Sequence, residues 1–255
     1  MKMKAALIAI VGAAALCLSV SAFGQNTVHY TGLGPGDGKS GTLYSSGYPG
    51  GVDVYTGIYE ATVNGTPSTA IICDDFTHQI NTGTPPWNAT ALQASTLNAS
   101  NIGQAEFGSA IGLAGYAQVA YLVNGMFNHT DLDNLKGLTV TDIDEAIWDI
   151  TTPGGISQSK TTHNVLTSNA QALVAWVKGL FSTDTAGKSY LNQYAQSLWI
   201  LTPSPNNGPQ ELWLNGGSYN VPEGGAALLY LLLAGMACFG AMRFSSRSEF
   251  GNRTA

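Results

Sequence analysis

An apolar run near the end of the chain constrains the fold more than any other feature. Residues 226–242 carry no charge, and Arg243 and Arg247 follow them. At a rise of about 1.5 Å per residue, the run forms roughly 25 Å of helix, which is at the short end of a membrane crossing. A helix in a soluble core has a polar face, and this run has none. The sequence therefore predicts a transmembrane helix over residues 226–242, stopped by the two arginines on the cytoplasmic side.

A short motif precedes this run: Val221, Pro222, Glu223 and Gly224. With the apolar run and the terminal arginines, it resembles the PEP-CTERM sorting signal of bacterial exosortase substrates. Gly224 stands where that signal usually has a proline. The resemblance covers residues 221–247 and implies an address rather than an activity. It implies that exosortase, a membrane-embedded protease, cuts near the motif, and that the released part belongs to the extracellular matrix or to a biofilm.

The other end of the chain has the features of a secretory signal peptide. Lys2 and Lys4 precede an apolar stretch over residues 5–20, and Ala22 or Gly24 marks the cleavage point. We expect residues 1–24 to be the signal peptide and residues 25–220 an extracellular domain. Residues 221–247 then hold the sorting signal, and residues 248–255 form a short cytoplasmic tail. The expected location is an inner-membrane-anchored precursor, and afterwards the cell surface or the medium.

The charge of the middle segment excludes one class of partner. Residues 25–220 contain five lysines, no arginine and fourteen acidic residues, so their net charge is −9. Binding to nucleic acid requires clustered basic residues that displace counterions from phosphate. We therefore expect no nucleic-acid partner. The charged fraction of the whole chain is only 10%, which is typical of exported domains covered by neutral polar residues.

The hydrophobic patterns of the middle segment predict a single α+β domain, with strands first, inserted helices and two closing strands. The alternating residues 58–63 and 69–73 flank Asn64-Gly65 and predict a hairpin, which Thr66-Pro67 lengthens beyond a two-residue loop. Before it, the glycine-rich residues 25–51 predict a flexible surface loop. The predicted helices cover the second half of residues 103–127, ending at Asn124-Gly125, then 141–150 with Thr141 as its cap, 168–181 and 186–197. Residues 198–202 and 211–214 are the predicted closing strands.

One cysteine belongs to the predicted extracellular domain, because Cys17 and Cys238 lie in the terminal apolar segments. The segments around it (residues 55–76, 120–122 and 146–150) resemble a group of PEP-CTERM surface proteins. They are also distantly similar to the thioester domains of Gram-positive adhesins. In those domains a cysteine before an acidic residue is joined to a glutamine just before an Ala-Ile-Trp run. The resulting thioester reacts with a nucleophile and forms a covalent tether.

The resemblance implies a role for two residues. Cys73 takes the position of the sulfur, and Asp144 takes that of the glutamine. A glutamine forms the thioester by losing ammonia, whereas an aspartate must lose water and has a shorter side chain. Gln118 and Gln158 act only if the fold brings them close. The alternative is a structural cysteine buried on a core strand.

Other chemistry has little support in the sequence. The acidic clusters at residues 74–75, 131–134 and 142–145 are oxygen-rich and leave a calcium-type cation site as an alternative, but residues 131–136 lack the ligand ladder of an EF-hand loop. Helix capping and solubility are the expected roles of most of these acids. The histidines show no metal-ligand spacing, so neither a metal nor a cofactor is expected. The sequence predicts a non-enzymatic cell-surface structural or binding protein, with exosortase, the inner membrane and matrix polysaccharide as partners. The alternatives are a covalent adhesin using Cys73 and an extracellular hydrolase built on paired carboxylates.

Overall fold

A small β-barrel and a group of helices make up the part of the chain that is described. The computed structural model describes residues 25–34, 38–128, 137–152, 154–157, 166–205 and 208–216, all within one compact unit, Gln25–Tyr219. The sorting motif, the predicted transmembrane helix with Arg243 and Arg247, and Gln158 lie outside these residues.

Eight strands are present among the described residues: β1 Gln25–Leu33, β2 Lys39–Ser45, β3 Tyr48–Thr56, β4 Tyr59–Val63, β5 Thr66–Cys73, β6 Trp87–Gln93, β7 Leu198–Pro203 and β8 Leu212–Asn215. Six of them form a closed barrel in the order β1-β4-β5-β8-β7-β6, with every neighbouring pair antiparallel and β1 pairing with β6. Strands β2 and β3 form a separate two-stranded sheet. Closure leaves the barrel without an unpaired edge strand.

Among the described residues, four α-helices lie between β6 and β7 in the sequence: α1 Gly108–Phe127, α2 Val140–Thr151, α3 Ser168–Leu180 and α4 Asp184–Tyr194. The helical path of α1 is interrupted at Gly112, where φ is +63°. This order confirms the predicted mixture of strands with inserted helices, and the closure of the sheet into a barrel is an additional finding. By length and composition α1 is apolar enough to cross a membrane, but 67% of its most apolar window is buried within the domain.

Alternation along the strands divides the apolar residues between two cores. Ile71 and Cys73 of β5 point into the barrel with residues from the five other strands, whereas Ile72 between them packs against the helices. The helical core includes Trp148 of α2 and Trp213 of β8, which are 1% and 0% exposed. Strand β5 therefore carries Cys73 to the place where the barrel meets the helices.

Two predictions about the first third of the domain are wrong. The described residues of the stretch 25–51, which are 25–34 and 38–51, are not a flexible loop, because they form β1, β2 and the first part of β3. The side chains of Val28 and Tyr30 fill the barrel interior. The burial of alternate residues therefore stabilises a strand here despite the many glycines. The hairpin between β4 and β5 has a two-residue turn, since Val63 pairs with Thr66. Asn64 and Gly65 adopt φ of +51° and +80°, as such a turn requires.

The helix positions were predicted well and the helix ends less well. Helix α2 is capped by Thr139 rather than Thr141, because Thr139 and Asp142 form a reciprocal capping box. Helix α1 continues past Asn124 to Phe127, where its packed face ends. Leu180, expected inside, is 44% exposed.

Candidate functional site at the end of strand β5

The segment that follows β5 is held by two side chains of α2. Trp148 donates a hydrogen bond from Nε1 to the carbonyl oxygen of Cys73 at 3.0 Å. Thr151 donates from Oγ1 to the carbonyl oxygen of Asp74 at 2.5 Å. The fold thus brings together the two stretches that carry the sequence resemblance, one around Cys73 and one around Trp148.

Cys73 is a free thiol with no exposed surface. Its Sγ donates to the carbonyl oxygen of Asp75 at 3.2 Å and accepts from the Asp75 amide at 3.3 Å. Burial raises the pKa of this thiol well above its usual value, and the charges of Asp75 and Asp74 raise it further. The thiolate, which is the nucleophilic form, is therefore disfavoured here.

Asp144 is also fully buried and has a different hydrogen-bond partner from Cys73. Its Oδ2 accepts from the amide of Gly57 at 2.6 Å, and its Oδ1 has no hydrogen-bond partner among the described residues. Gly57 has a φ of +144°, which favours glycine and turns its amide toward the carboxylate. Burial raises the pKa of Asp144 well above its usual range. In this position Asp144 links α2 to the connection between β3 and β4.

The sequence reasoning missed one glutamine beside Cys73. Gln210 donates from Nε2 to the carbonyl oxygen of Asp75 at 2.8 Å and to that of His78. The same Asp75 oxygen accepts the Cys73 thiol, so the two side chains share one acceptor. Gln118, a possible thioester partner of Cys73 in the sequence analysis, donates from Nε2 to the carbonyl oxygen of Phe181 at 3.0 Å. Gln210 is far from Cys73 in the sequence, and only the pairing of β5 with β8 brings them together.

Several acidic residues near Cys73 are buried, and for Asp74 this corrects the predicted role in helix capping or solubility. Asp74 is fully buried and accepts from Trp213 Nε1 at 2.6 Å. Glu211 is also fully buried and accepts from the Tyr116 hydroxyl at 2.5 Å and the Glu106 amide at 2.8 Å. Burial raises the pKa values of both carboxyls. Glu211 therefore links the barrel to α1 and the turn before it, whereas Asp74 is bonded to strand β8.

A cluster of two acids and one histidine lies beside this network. His78 Nδ1 is 2.6 Å from Asp75 Oδ2 and 3.3 Å from Glu106 Oε1. The hydrogen bond to Asp75 is the main cause that raises the pKa of His78. Burial, followed by the charges of Asp75 and Glu211, raises the pKa of Glu106 to about 8. The sequence predicted no metal-ligand spacing, and this cluster forms only because the fold brings Glu106 to the loop after β5.

An aromatic cleft of about 110 Å³ opens next to the same loop. Tyr30, Tyr59 and Trp148 form much of its wall and are largely buried. The Tyr59 ring packs edge-on against Tyr30 and Tyr55, with ring centres 5.9 and 5.6 Å apart. The polar lining comes from three side chains: Asp53, Gln79 and Gln210. Gln210 therefore borders both the cleft and the Cys73 environment.

The similarity of this chain to known proteins is structural and distant. No protein-family model and no curated protein matches this chain. Among solved structures, the chain is distantly similar to the N-terminal domain of the Streptococcus pyogenes pilus tip adhesin Cpa. The TM-score is 0.36 at 13% sequence identity, and the match covers 71% of this chain and 97% of that one.

Proposed function

We propose that this protein is an exported, non-enzymatic binding protein of the cell surface, processed through its C-terminal sorting signal. The observation that carries the proposal is the order of features at the end of the chain: Val221-Pro222-Glu223-Gly224, an apolar run, then Arg243 and Arg247. The signal-peptide pattern at the other end supports it. Exosortase and the inner membrane are the partners that this proposal requires.

The aromatic cleft is the proposed binding surface for a neutral matrix polysaccharide. The half-buried Tyr55 ring on the wall offers an aromatic face to a sugar ring, and the side chains of Asp53, Gln79 and Gln210 suit hydroxyl groups. The net charge of −9 over residues 25–220 repels polyanions and so favours an uncharged glycan.

Deletion of residues 221–223 tests the sorting step. We expect the deletion to leave the precursor in the membrane fraction, whereas the wild type releases its extracellular part. Deletion of residues 251–253 in the tail is the control, which should release normally. Unchanged release from the variant lacking residues 221–223 would contradict the proposal.

A titration with neutral polysaccharides tests the cleft. Tyr55→Ala removes a ring from the cleft wall and should weaken binding about tenfold, since a well-packed aromatic contact is worth roughly 1 kcal/mol or more. Tyr194→Ala removes an exposed ring on α4 and serves as the control. Equal binding by the two variants would exclude the cleft.

A covalent adhesin is a second candidate, favoured by the acceptor that Cys73 and Gln210 share. In this chemistry Sγ attacks the side-chain carbonyl carbon of Gln210, the C–N bond breaks, and the thiol proton leaves with the amide nitrogen as ammonia. The intact mass of the secreted domain distinguishes the outcomes. A loss of one ammonia, reversed by a methylamine adduct and absent from Cys73→Ala and Gln210→Ala, supports a thioester. A loss of one water implicates Asp144, and an unmodified mass leaves Cys73 as a core residue.

A further inference from the structure

The cluster of Asp75, His78 and Glu106 has the geometry of a metal-binding site. One potential ligand atom from each residue lies within 4.8 Å of the other two. Nitrogen and oxygen ligands lie about 2.0–2.2 Å from a zinc ion. If the ligand–zinc–ligand angle is a right angle or tetrahedral, the two ligand atoms lie roughly 3–3.5 Å apart. The contacts of His78 Nδ1 to the two carboxylates, 2.6 and 3.3 Å, are close to that spacing. Nδ1 of His78 carries at most one hydrogen, so it cannot make a full hydrogen bond to both Asp75 and Glu106.

An unpaired oxygen gives independent support for a ligand. Glu106 Oε2 is buried and has no hydrogen-bond partner in the described part of the chain. The Glu106 side chain is 10% exposed, and its other oxygen faces His78 within the cluster. Buried polar atoms in folded proteins are almost always paired, and an unpaired one often indicates an absent water or ion. The carboxylate of Glu106, whose Oε1 faces His78, therefore has a second oxygen that is free to coordinate an ion.

The charges around the cluster also favour a cation. The charges of Asp75 and Glu211 disfavour the ionised form of Glu106, and the charge of Asp75 also disfavours that of Glu211. Among the described residues, His78 is the only basic partner of Asp75 and Glu106. A divalent ion would offset this excess negative charge better than one imidazolium, since it places two charges between the carboxylates.

We propose that Asp75, His78 and Glu106 bind one divalent transition-metal ion of the zinc class. The ligand set of one imidazole and two carboxylates suits zinc, whereas calcium requires six to eight oxygen ligands. Three protein ligands leave a position for water, as in open zinc sites. The His78 side chain is 36% exposed, which gives the ion a route from solvent. Bound metal would join the loop after β5 to the turn before α1 and stabilise the folded chain.

Calorimetric titration of the full chain, purified in detergent and stripped with EDTA, tests this site. We expect one zinc ion per chain, tighter binding of zinc than of calcium or magnesium, and a higher melting temperature with zinc. His78→Gln and Glu106→Gln should each weaken zinc binding at least about tenfold. His29→Gln on β1 and Glu60→Gln on β4 are matched controls that should bind like the wild type. No zinc binding by the wild type, or equal affinity in all four variants, would overturn the proposal.

X-ray absorption on the zinc-loaded wild type keeps the test independent of how well the variants fold. We expect a first shell of nitrogen and oxygen only, with one imidazole. A sulfur ligand would assign the metal to Cys73, and two or more imidazoles would assign it to a site elsewhere, and either result would overturn the proposal.

Discussion

Replacement of Thr151 by valine tests how α2 holds the segment after β5. The substitution keeps the shape of the side chain and removes the hydroxyl that donates to the Asp74 carbonyl at 2.5 Å. Thr151 is 1% exposed, so water cannot replace the lost donor. Leaving a buried acceptor unpaired costs about 1–3 kcal/mol. We therefore expect a loss of about 2 kcal/mol in the free energy of unfolding of Gln25–Tyr219.

Urea and thermal denaturation, followed by tryptophan fluorescence, measure this loss. For a domain of this size, about 2 kcal/mol lowers the melting temperature by roughly 4–8 °C and the urea midpoint by about 1 M. Thr62→Val, at a half-buried threonine on β4, controls for the exchange of hydroxyl for methyl. A Thr151→Val variant as stable as Thr62→Val would refute the view that this hydrogen bond anchors the segment.

Three further outcomes follow from the capping box, the buried carboxyl and the buried thiol. Thr139→Ala removes the cap that pairs with Asp142 and should cost about 1 kcal/mol in thermal unfolding, whereas Thr139→Ser keeps the capping hydroxyl and should cost less. The pKa of Glu106, raised from 4.5 to about 8, means that the folded chain keeps a proton that the unfolded chain releases. In the metal-free, EDTA-treated chain, stability should therefore fall as pH rises from about 5 to about 8, and Glu106→Gln should flatten that slope in melting curves. Because the Cys73 thiol is buried and its pKa is raised, iodoacetamide should label it only after urea unfolds the domain; rapid labelling of the native protein would contradict this.

Local patterns in the sequence predicted most of the elements that follow residue 52. The Asn64-Gly65 turn, the apolar spacing within residues 113–123 and 168–177, and the closing strands all follow from contacts between near neighbours in the chain. The same reasoning failed for residues 25–51, because glycine content suggested a loop where pairing of β1 with β4 and β6 forms a strand. Barrel closure depends on pairing between distant strands, which no local pattern contains.

The candidate site was predicted only in part for the same reason. The stretches around Cys73 and Trp148, which carry the resemblance, are joined by a hydrogen bond. Glu106 and Gln210 were missed, since each reaches the loop after β5 from a distant part of the chain. The burial of Asp74 was also missed, because sequence alone gave no sign that Trp213 would donate to one oxygen of its carboxylate.

The intact mass of the protein recovered from the culture medium tests the central claim most directly. Export and C-terminal processing predict an extracellular chain that begins after Ala22 or Gly24 and ends close to Val221, without the apolar run. An extracellular chain that still contains Arg243 and Arg247, or the absence of the protein from both the medium and the cell surface, would contradict the account.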